Sequence, residues 1–295
     1  MSVFRPLKAG EPIGVVALSG PIDPERLEVG LAALRSWGHP VELAANLDRR
    51  AGYLAGSDDE RLEGLAGLLD RGVRCLIGAR GGFGVTRLLG RLPWRRLSEV
   101  EACFVGFSDL TAVLNPLAER ITQVHGPMVS AGLARPGNAR RLLEVLEGSL
   151  HGKRLFRFGP DRVVRAGRAG GPAAGGNLTV LAALAGTPFA PDLRGRVLFL
   201  EEVAEPPYRL DRLLTQISCS ASFDGVKALI SGTLYGCRPR GECVKTWRDR
   251  LLELAPPGVP VVVGLPFGHG ATNMAFPVGA TVTVDTEQGS VEWSG

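Results

Sequence analysis

A serine follows a short apolar run in the segment EACFVGFSDLTAVLN (101–115). The run predicts a buried strand, and the apolar residues after the serine recur at helical spacing. Ligands of α/β proteins gather beyond the carboxyl ends of such strands, so Ser108 stands where these folds keep their chemistry. On a tight strand-to-helix turn a serine can act as a nucleophile, and the next backbone N–H can stabilise an oxyanion. Leu110 replaces the second glycine of the usual G-x-S-x-G pattern, and a second interpretation, that Ser108 or Asp109 only caps the helix, stays open.

A glycine-rich segment, ARGGFGVTRLL (79–89), also follows a predicted strand and opens a helix. Three glycines in four residues let the backbone approach a ligand closely and point N–H groups at an anion. The segment predicts half of an oxyanion hole, a phosphate cradle or a tight turn. It matches neither the dinucleotide-binding fingerprint nor a P-loop, which requires a lysine.

Four histidines are candidates for a general base: His39, His125, His151 and His269. His39 follows a predicted helix end and His151 lies in a predicted connection, so we expect both to be solvated. His125 and His269 each come just after an apolar strand, where a base could face a cleft. Nothing in the local sequence indicates which of these two histidines is the base.

Two adjacent glutamates, Glu201 and Glu202, end the apolar run VLFL and could orient such a base. Neighbouring strand residues point to opposite faces, so at most one of them faces a given cleft. We expect the other to meet solvent or to pair with Arg209 or Arg212. In chain order the candidates are serine, glutamate and histidine, an order that serine hydrolases also use.

Composition narrows the class of protein. Of the 295 residues 45% are hydrophobic, which is enough for a sizeable core, and the net charge of +4 is spread without a basic block. We therefore predict no nucleic-acid partner. The sequence has neither a signal-peptide pattern nor an apolar run near the roughly 18 residues of a membrane span, which predicts a cytoplasmic protein without a membrane partner. The five cysteines predict reduced thiols, and the spacing in CRPRGEC (237–243) does not predict a metal site.

Strand and helix signals alternate through the first half of the chain. A strand at 12–20 precedes a helix with Asp23 as its cap, and a capping box of Ser57 and Glu60 opens a helix over 57–72. Further strands are predicted at 73–80 and 102–107, and Pro116 is expected to shorten the helix after Ser108. The alternation predicts a doubly wound parallel sheet over residues 1–148, closed by a helix over 138–148.

The pattern changes after residue 148. Residues 149–176, rich in arginine and glycine, predict a linker, and residues 177–295 predict a second, smaller domain. That domain is predicted to hold helices near NLTVLAALAG, YRLDRLLTQI and VKTWRDRLLELA, strands at RVLFLEE, VKALISGTL and VPVVVGLPFG, and a C-terminal hairpin in ATVTVDTEQGSVEWS. Because the nucleophile candidate lies in the first unit and the acid and base candidates lie in the second, we expect one cleft shared by both.

Several motifs along the chain resemble one family. They are RGGFG, GFSDLT, HGPM, GGNL, GTPF, LFLEE with PYRLDRLL, and GLPFGH with FPVG. Together, in this order and over nearly the whole chain, they resemble the LD-carboxypeptidases, or muramoyltetrapeptide carboxypeptidases, which are serine peptidases of the S66 type. The resemblance implies a flavodoxin-like N-terminal domain, a smaller β-rich α/β C-terminal domain with the active site between them, and a homodimer.

The resemblance also implies roles for single residues. Ser108 would be the nucleophile, His269 the base and Glu201 the residue that orients the base, with the backbone N–H groups of Gly82 and Asp109 as the oxyanion hole. No cofactor and no metal are implied. For the free carboxylate of the substrate we suggest three contacts, which are Arg80, Asn177 and Arg209.

The implied reaction is removal of the terminal D-alanine from murein tetrapeptides during cytoplasmic recycling of cell-wall fragments. Relatives concerned with microcin immunity use the same triad on peptidyl or aminoacyl adenylates, which gives one alternative function. A non-catalytic ligand-binding module is the second alternative, although it would not require Ser108, Glu201 and His269 together.

Overall fold

The strands of the protein build two sheets. The structure is a computed structural model and describes residues 2–237 and 246–294. In chain order the strands are β1 (Ile13–Val16), β2 (Val41–Leu43), β3 (Cys75–Gly78), β4 (Cys103–Gly106), β5 (Gln123–His125), β6 (Arg154–Arg157), β7 (Val163–Arg165), β8 (Arg168–Asn177), β9 (Val197–Val203), β10 (Ala228–Tyr235), β11 (Val261–Val262), β12 (Phe276–Val278), β13 (Thr281–Asp285) and β14 (Ser290–Trp293).

Helices cover these sheets. They are α1 (Pro24–Arg35), α2 (Asp58–Asp70), α3 (Val85–Leu88), α4 (Trp94–Glu99), α5 (Thr111–Leu117), α6 (Pro136–Leu146), α7 (Leu178–Leu184), α8 (Pro207–Ser218) and α9 (Trp247–Leu254). The caps predicted for the first two are present, because Asp23 accepts hydrogen bonds from the first turn of α1 and Ser57 and Glu60 form the capping box of α2. Helix α5 has only seven residues and contains Pro116, as predicted.

The first sheet has the flavodoxin-like order that the resemblance implied. Its strands lie in the order β2–β1–β3–β4–β5–β12, and the first five are parallel. In this topology ligands bind where the order reverses, beyond the carboxyl ends of β1 and β3. The chain segments at that edge are 17–20 after β1, 79–84 after β3 and 107–110 after β4, so the predicted serine turn and glycine turn meet there.

The second sheet has eight strands in the order β6–β14–β13–β8–β9–β10–β11–β7. Strands β8 to β11 are parallel, and the predicted C-terminal hairpin is present as β13 and β14. The predicted linker over 149–176 is not reproduced, since it contains β6, β7 and β8. Strand β12 also departs from the predicted division of the chain, because it lies within 177–295 yet pairs with β5 of the first sheet.

The glycines of RAGGPAAGGN explain why β8 was predicted to be a connection. A Cβ atom on Gly175 would lie 1.9 Å from the carbonyl oxygen of Phe199 on β9, and one on Gly176 would lie 2.6 Å from Thr111 Oγ1. Gly175 and Gly176 have φ angles of +118° and +130°, which side chains disfavour. Glycine is therefore required here by close packing, whereas in a sequence pattern it indicates a loop.

Two predictions fall partly outside the described residues. Most of CRPRGEC, including Cys243, and the first residues of VKTWRDRLLELA lie in the undescribed segment 238–245. In the parts that are described, 2–237 and 246–294, no helix combines the length and apolar character needed to cross a membrane.

Candidate active site

Ser108 occupies a strained turn between β4 and α5. Its φ angle is +58°, a left-handed conformation that is unfavourable for a residue with a side chain. A single 3₁₀ turn over Ser108–Leu110 leads into α5, and the cap positions of the turn and of the helix are Phe107 and Leu110 rather than Ser108. The capping interpretation is therefore wrong for Ser108. Backbone strain of this kind accompanies functional positions and costs on the order of 1–3 kcal/mol.

Leu110, the departure from the G-x-S-x-G pattern, is accommodated by two glycines on neighbouring strands. A Cβ atom on Gly78 would lie 2.7 Å from Leu110 Cδ2, and one on Gly106 would lie 2.5 Å from the same atom. The leucine is fully buried in the space that these glycines leave. Leu110 therefore takes the place of the second glycine of the pattern without a steric conflict with the neighbouring strands.

The glycine turn after β3 packs directly on the serine. A Cβ atom on Gly81 would lie 3.0 Å from Ser108 Cβ and 3.1 Å from its Oγ, so a side chain here would crowd the serine. The carbonyl of Gly81 accepts a hydrogen bond from Gly20 N at 3.2 Å, which fixes the turn to the end of β1. Within the described chain, the N–H groups of Gly82 and Asp109 donate no hydrogen bond to a backbone carbonyl. An oxyanion hole would require N–H groups that are free in this way.

Glu201 and His269 form the closest acid–base pair of the site. Glu201 Oε2 and His269 Nδ1 are 2.6 Å apart. The Glu201 side chain is fully buried, and 18% of the surface of the His269 side chain is exposed. Gly268, with a φ angle of +97°, makes this contact possible, because a Cβ atom there would lie 2.6 Å from Glu201 Oε2. When Nδ1 donates its proton to the carboxylate, Nε2 is the acceptor that remains.

Phe107 connects this pair to the serine. It directly precedes Ser108, and its ring lies edge-on to the His269 ring with centroids 4.8 Å apart. His269 therefore packs beside the turn that carries Ser108, although no hydrogen bond joins Ser108 Oγ to His269 among the residues described. In unliganded enzymes catalytic hydrogen bonds are often long and tighten only when substrate binds.

Glu202 differs from the prediction that it meets solvent or pairs with Arg209 or Arg212. It is buried, and its carboxylate accepts hydrogen bonds from Asn177 Nδ2 at 2.9 Å and from the Thr179 N–H at 2.7 Å. Strand β9 lies between β8 and β10, and its other face is covered by α7, so a side chain that turns away from His269 meets the N-terminus of that helix. A carboxylate is favourable there.

The three suggested substrate contacts have different surroundings. Asn177 is not available for a substrate, because it is buried, caps α7 through Val180 N and donates to Glu202. Arg209 forms an ion pair of 2.8 Å with Glu205. Arg80 is exposed, donates to the carbonyl of Pro21 at 2.5 Å and directly precedes Gly81.

His125 is separated from His269 by its environment. It is fully buried, stacks on Phe276 with ring centroids 4.7 Å apart, and neither of its ring nitrogens has a hydrogen-bond partner among the described residues. Burial lowers the pKa of the His125 imidazole to about 3. A histidine enclosed in this way cannot exchange a proton with a substrate. His151 is exposed, and His39 binds the carbonyl of Glu11.

The polar residues of α5 form contacts that the sequence did not predict. Asn115 pairs with both backbone groups of Gly175, with its Nδ2 2.9 Å from the carbonyl oxygen and its Oδ1 2.8 Å from the N–H. Thr111 Oγ1 accepts from Asn177 N at 3.1 Å. These bonds attach the helix that follows Ser108 to β8, the neighbour of the strand that carries Glu201. Polar residues among the apolar positions of TAVLNPL were the only signal.

The site contains the groups that hydrolysis of an acyl bond needs, which are a hydroxyl on a strained turn, an imidazole fixed by a carboxylate and available N–H donors. On this fold they define the class of the protein as a hydrolase. Two family models extend the assignment, since the LD-carboxypeptidase N-terminal domain matches residues 13–126 and the LD-carboxypeptidase C-terminal domain matches residues 170–284. The chain belongs to the LD-carboxypeptidase family, and it is a carboxypeptidase.

Individual proteins agree with this assignment. A Streptomyces coelicolor protein provisionally named a carboxypeptidase is 40% identical over 97% of this chain and 94% of its own. The murein tetrapeptide carboxypeptidase of Pseudomonas aeruginosa is 33% identical over 92% of each chain. A solved structure of MccF in complex with glutamyl sulfamoyl guanosine superposes with a TM-score of 0.88 over 98% of this chain and 97% of that chain, at 19% identity, and this likeness concerns the fold.

Proposed function

We propose that this carboxypeptidase releases the terminal D-alanine from murein tetrapeptides through Ser108, His269 and Glu201. The observation that carries the proposal is the 2.6 Å contact between Glu201 and His269, formed beside the residue that precedes a strained serine. The name of the Pseudomonas aeruginosa relative supports the choice of substrate. Cytoplasmic recycling of cell-wall fragments and a homodimer belong to the same proposal, and they rest on the family resemblance.

In each half-reaction, formation of the acyl-enzyme and its hydrolysis, His269 accepts one proton from the attacking group and donates it to the leaving group. His269 Nε2 takes the proton of Ser108, and the oxygen attacks the carbonyl carbon of the bond before D-alanine. The oxyanion accepts hydrogen bonds from the N–H groups of Gly82 and Asp109. The C–N bond then breaks, the imidazolium protonates the leaving amine, and D-alanine departs. Water repeats the attack on the acyl-enzyme and restores Ser108.

Glu201 orients the base in this scheme. Its carboxylate holds the proton of His269 on Nδ1 and stabilises the imidazolium that forms during attack. Full burial of the Glu201 side chain strengthens this bond, because the surrounding dielectric is low. Glu201 Oε1 has no hydrogen-bond partner among the described residues, so His269 is the polar contact that the carboxylate has there.

Arg80 is the proposed contact for the free carboxylate of D-alanine. It is exposed and adjoins the glycine turn that packs on Ser108, so a guanidinium at this place can reach a terminal carboxylate. Arg80→Gln is expected to raise KM about tenfold or more, since one charge-assisted hydrogen bond contributes about 1.5–3 kcal/mol. Arg95→Gln is the matched control, because Arg95 is exposed and its ion pair within the described part of the chain is with Glu99, one turn along its own helix. Equal KM values for both variants would reject Arg80 as the contact.

The deciding experiment compares substrates. Purified protein is incubated with a murein tetrapeptide, the same peptide with a C-terminal amide, a pentapeptide and an aminoacyl adenylate analogue, and release of D-alanine or nucleotide is followed. Release of D-alanine from the free-acid tetrapeptide, absent with Ser108→Ala, is the expected result. Turnover of the adenylate analogue alone would favour the alternative function, and binding without turnover would favour a non-catalytic module.

A further inference from the structure

The carboxylate of Asp109 lies beneath the glycine turn. Asp109 follows Ser108, and only 2% of its surface is exposed. Its Oδ2 accepts a hydrogen bond from Ser19 Oγ at 2.7 Å and another from the Val85 N–H at 3.0 Å. The N–H of Gly84 also stabilises the ionised carboxylate. The mechanism above uses the backbone N–H of this residue and leaves its side chain without a role.

These contacts join three chain segments at the edge of the first sheet. Ser19 comes after β1, Gly84 and Val85 end the glycine turn after β3, and Asp109 belongs to the turn after β4. The two N–H groups proposed as the oxyanion hole are those of Gly82 and Asp109, so they lie on two of the three segments. The carboxylate fixes the spacing of one segment relative to the other.

An ionised carboxyl group at this place carries a free-energy cost. Burial raises the pKa of the Asp109 carboxyl, which means that the environment opposes its ionised form. Arg61 is the charged group that faces it, from α2, and that guanidinium is itself buried and engaged with Asp58 and the carbonyl of Leu18. An apolar residue would avoid the cost of burying a charge, but it would leave the N–H of Val85 and the hydroxyl of Ser19 unpaired.

We infer that the Asp109 carboxylate is a positioning residue that sets the distance between the two oxyanion-hole N–H groups. This inference rests on the proposed function, because it needs an oxyanion to be formed at Ser108. It predicts an effect on the chemical step: substrate in its ground state scarcely feels a displaced N–H group, whereas the tetrahedral intermediate depends on it.

The test replaces Asp109 by asparagine, which keeps the shape but places an NH₂ group among the donors of the glycine turn. Asp109→Asn is expected to lower kcat about 10²-fold, close to the loss of one oxyanion-hole donor, with KM within about threefold of wild type. Ser19→Ala removes one of the hydrogen bonds and is expected to lower kcat about fivefold with KM unchanged. Because Ser19→Ala removes only one hydroxyl group, this variant still tests the inference if Asp109→Asn does not fold.

Gln123→Leu is the matched structural control. Gln123 also forms a buried hydrogen-bond network in the first sheet, to Phe104 N and to the carbonyls of Ala102 and Ile121, but at the opposite end of β4 from Ser108. It should lower the melting temperature and leave kcat of the folded protein unchanged. If Ser19→Ala and Asp109→Asn likewise lose only stability, with kcat within twofold of wild type, the inference is overturned.

A second readout separates this inference from the proposed function. The rate at which a fluorophosphonate modifies Ser108 depends on the same oxyanion hole and needs no peptide substrate. Slower labelling of Asp109→Asn than of wild type is expected even if the peptide has been chosen wrongly. Labelling at the wild-type rate contradicts the inference alone, whereas a wild-type protein that neither labels at Ser108 nor turns over any substrate refutes both.

Discussion

Replacing His125 by phenylalanine should change how stability depends on pH. In the folded chain the pKa of His125 is lowered to about 3 by burial, whereas the unfolded chain returns it to its ordinary value near 6.5. Between these two values the unfolded state binds a proton that the folded state cannot accept. The folded state therefore loses stability as the pH falls through 6.5 towards 3. Phenylalanine keeps the aromatic packing against Phe276 and removes the titration.

The magnitude follows from the two pKa values. At pH 7 the unfolded imidazole is mostly neutral, and at pH 5 it is almost entirely protonated, while the folded one is neutral at both. The single site then makes the free energy of unfolding about 2 kcal/mol smaller at pH 5 than at pH 7. His125→Phe should lose that much less over the same interval. Any misfit of the larger ring, on the order of 1–3 kcal/mol, is independent of pH and cancels in the comparison.

Urea unfolding at pH 7 and pH 5, followed by tryptophan fluorescence, measures both differences. His151→Phe is the matched control, because His151 is exposed and should leave the wild-type pH dependence in place. The other titrating groups contribute equally to all three proteins. If wild type and His125→Phe lose the same stability between pH 7 and pH 5, the imidazole is solvated or paired in solution and the reasoning fails.

The remaining predictions concern the acid, the glycine strand and the thiols. Glu201→Gln should lower kcat by roughly 10²–10⁴ without loss of stability. Glu202→Gln should instead cost about 1–3 kcal/mol of stability and leave kcat of the folded protein within about threefold of wild type. Steady-state kinetics and thermal unfolding measure these differences. Gly175→Ala should destabilise by about 3 kcal/mol or more, and Gly186→Ala, with positive φ but open space, by about 1 kcal/mol; equal melting temperatures would rule out the packing argument. Iodoacetamide should modify the exposed Cys219, located by peptide mass spectrometry, with turnover retained; full loss of activity would contradict a serine mechanism.

The sequence predicted what depends on neighbouring residues. The capping box of Ser57 and Glu60, the short helix at Pro116 and the serine turn are determined within a few positions, and the structure has all three. The alternation of strands and helices likewise predicted the parallel first sheet. In each of these cases the local pattern and the tertiary structure favour the same conformation.

Features that depend on distant partners were not predictable in the same way. Glycines at 170–176 indicate a loop until the approach of Phe199 and Thr111 is known, and only then do they identify β8 as a tightly packed strand. The period of two along β9 predicts that Glu201 and Glu202 point to opposite faces of the sheet, as they do. It does not predict that α7 covers the face to which Glu202 points. His125 and His269 both follow predicted apolar strands, and they are distinguished only by distant partners, since His269 contacts Glu201 and His125 is enclosed by aromatic rings.

The crossing of β12 from the second half of the chain into the first sheet has a consequence for biosynthesis. The segment that carries His269 runs from β11 in one sheet to β12 in the other, and β13 and β14 then add to the second sheet. While the chain is being made, β1 to β5 and the serine turn are synthesised first, and the segment of His269 is anchored to the first sheet only after Phe276, which pairs with His125, has been added. A nascent chain, or one truncated before β12, thus contains Ser108 but lacks the strand that anchors the segment of His269, and the proposed pairing of the two residues can form only after β12 has been synthesised.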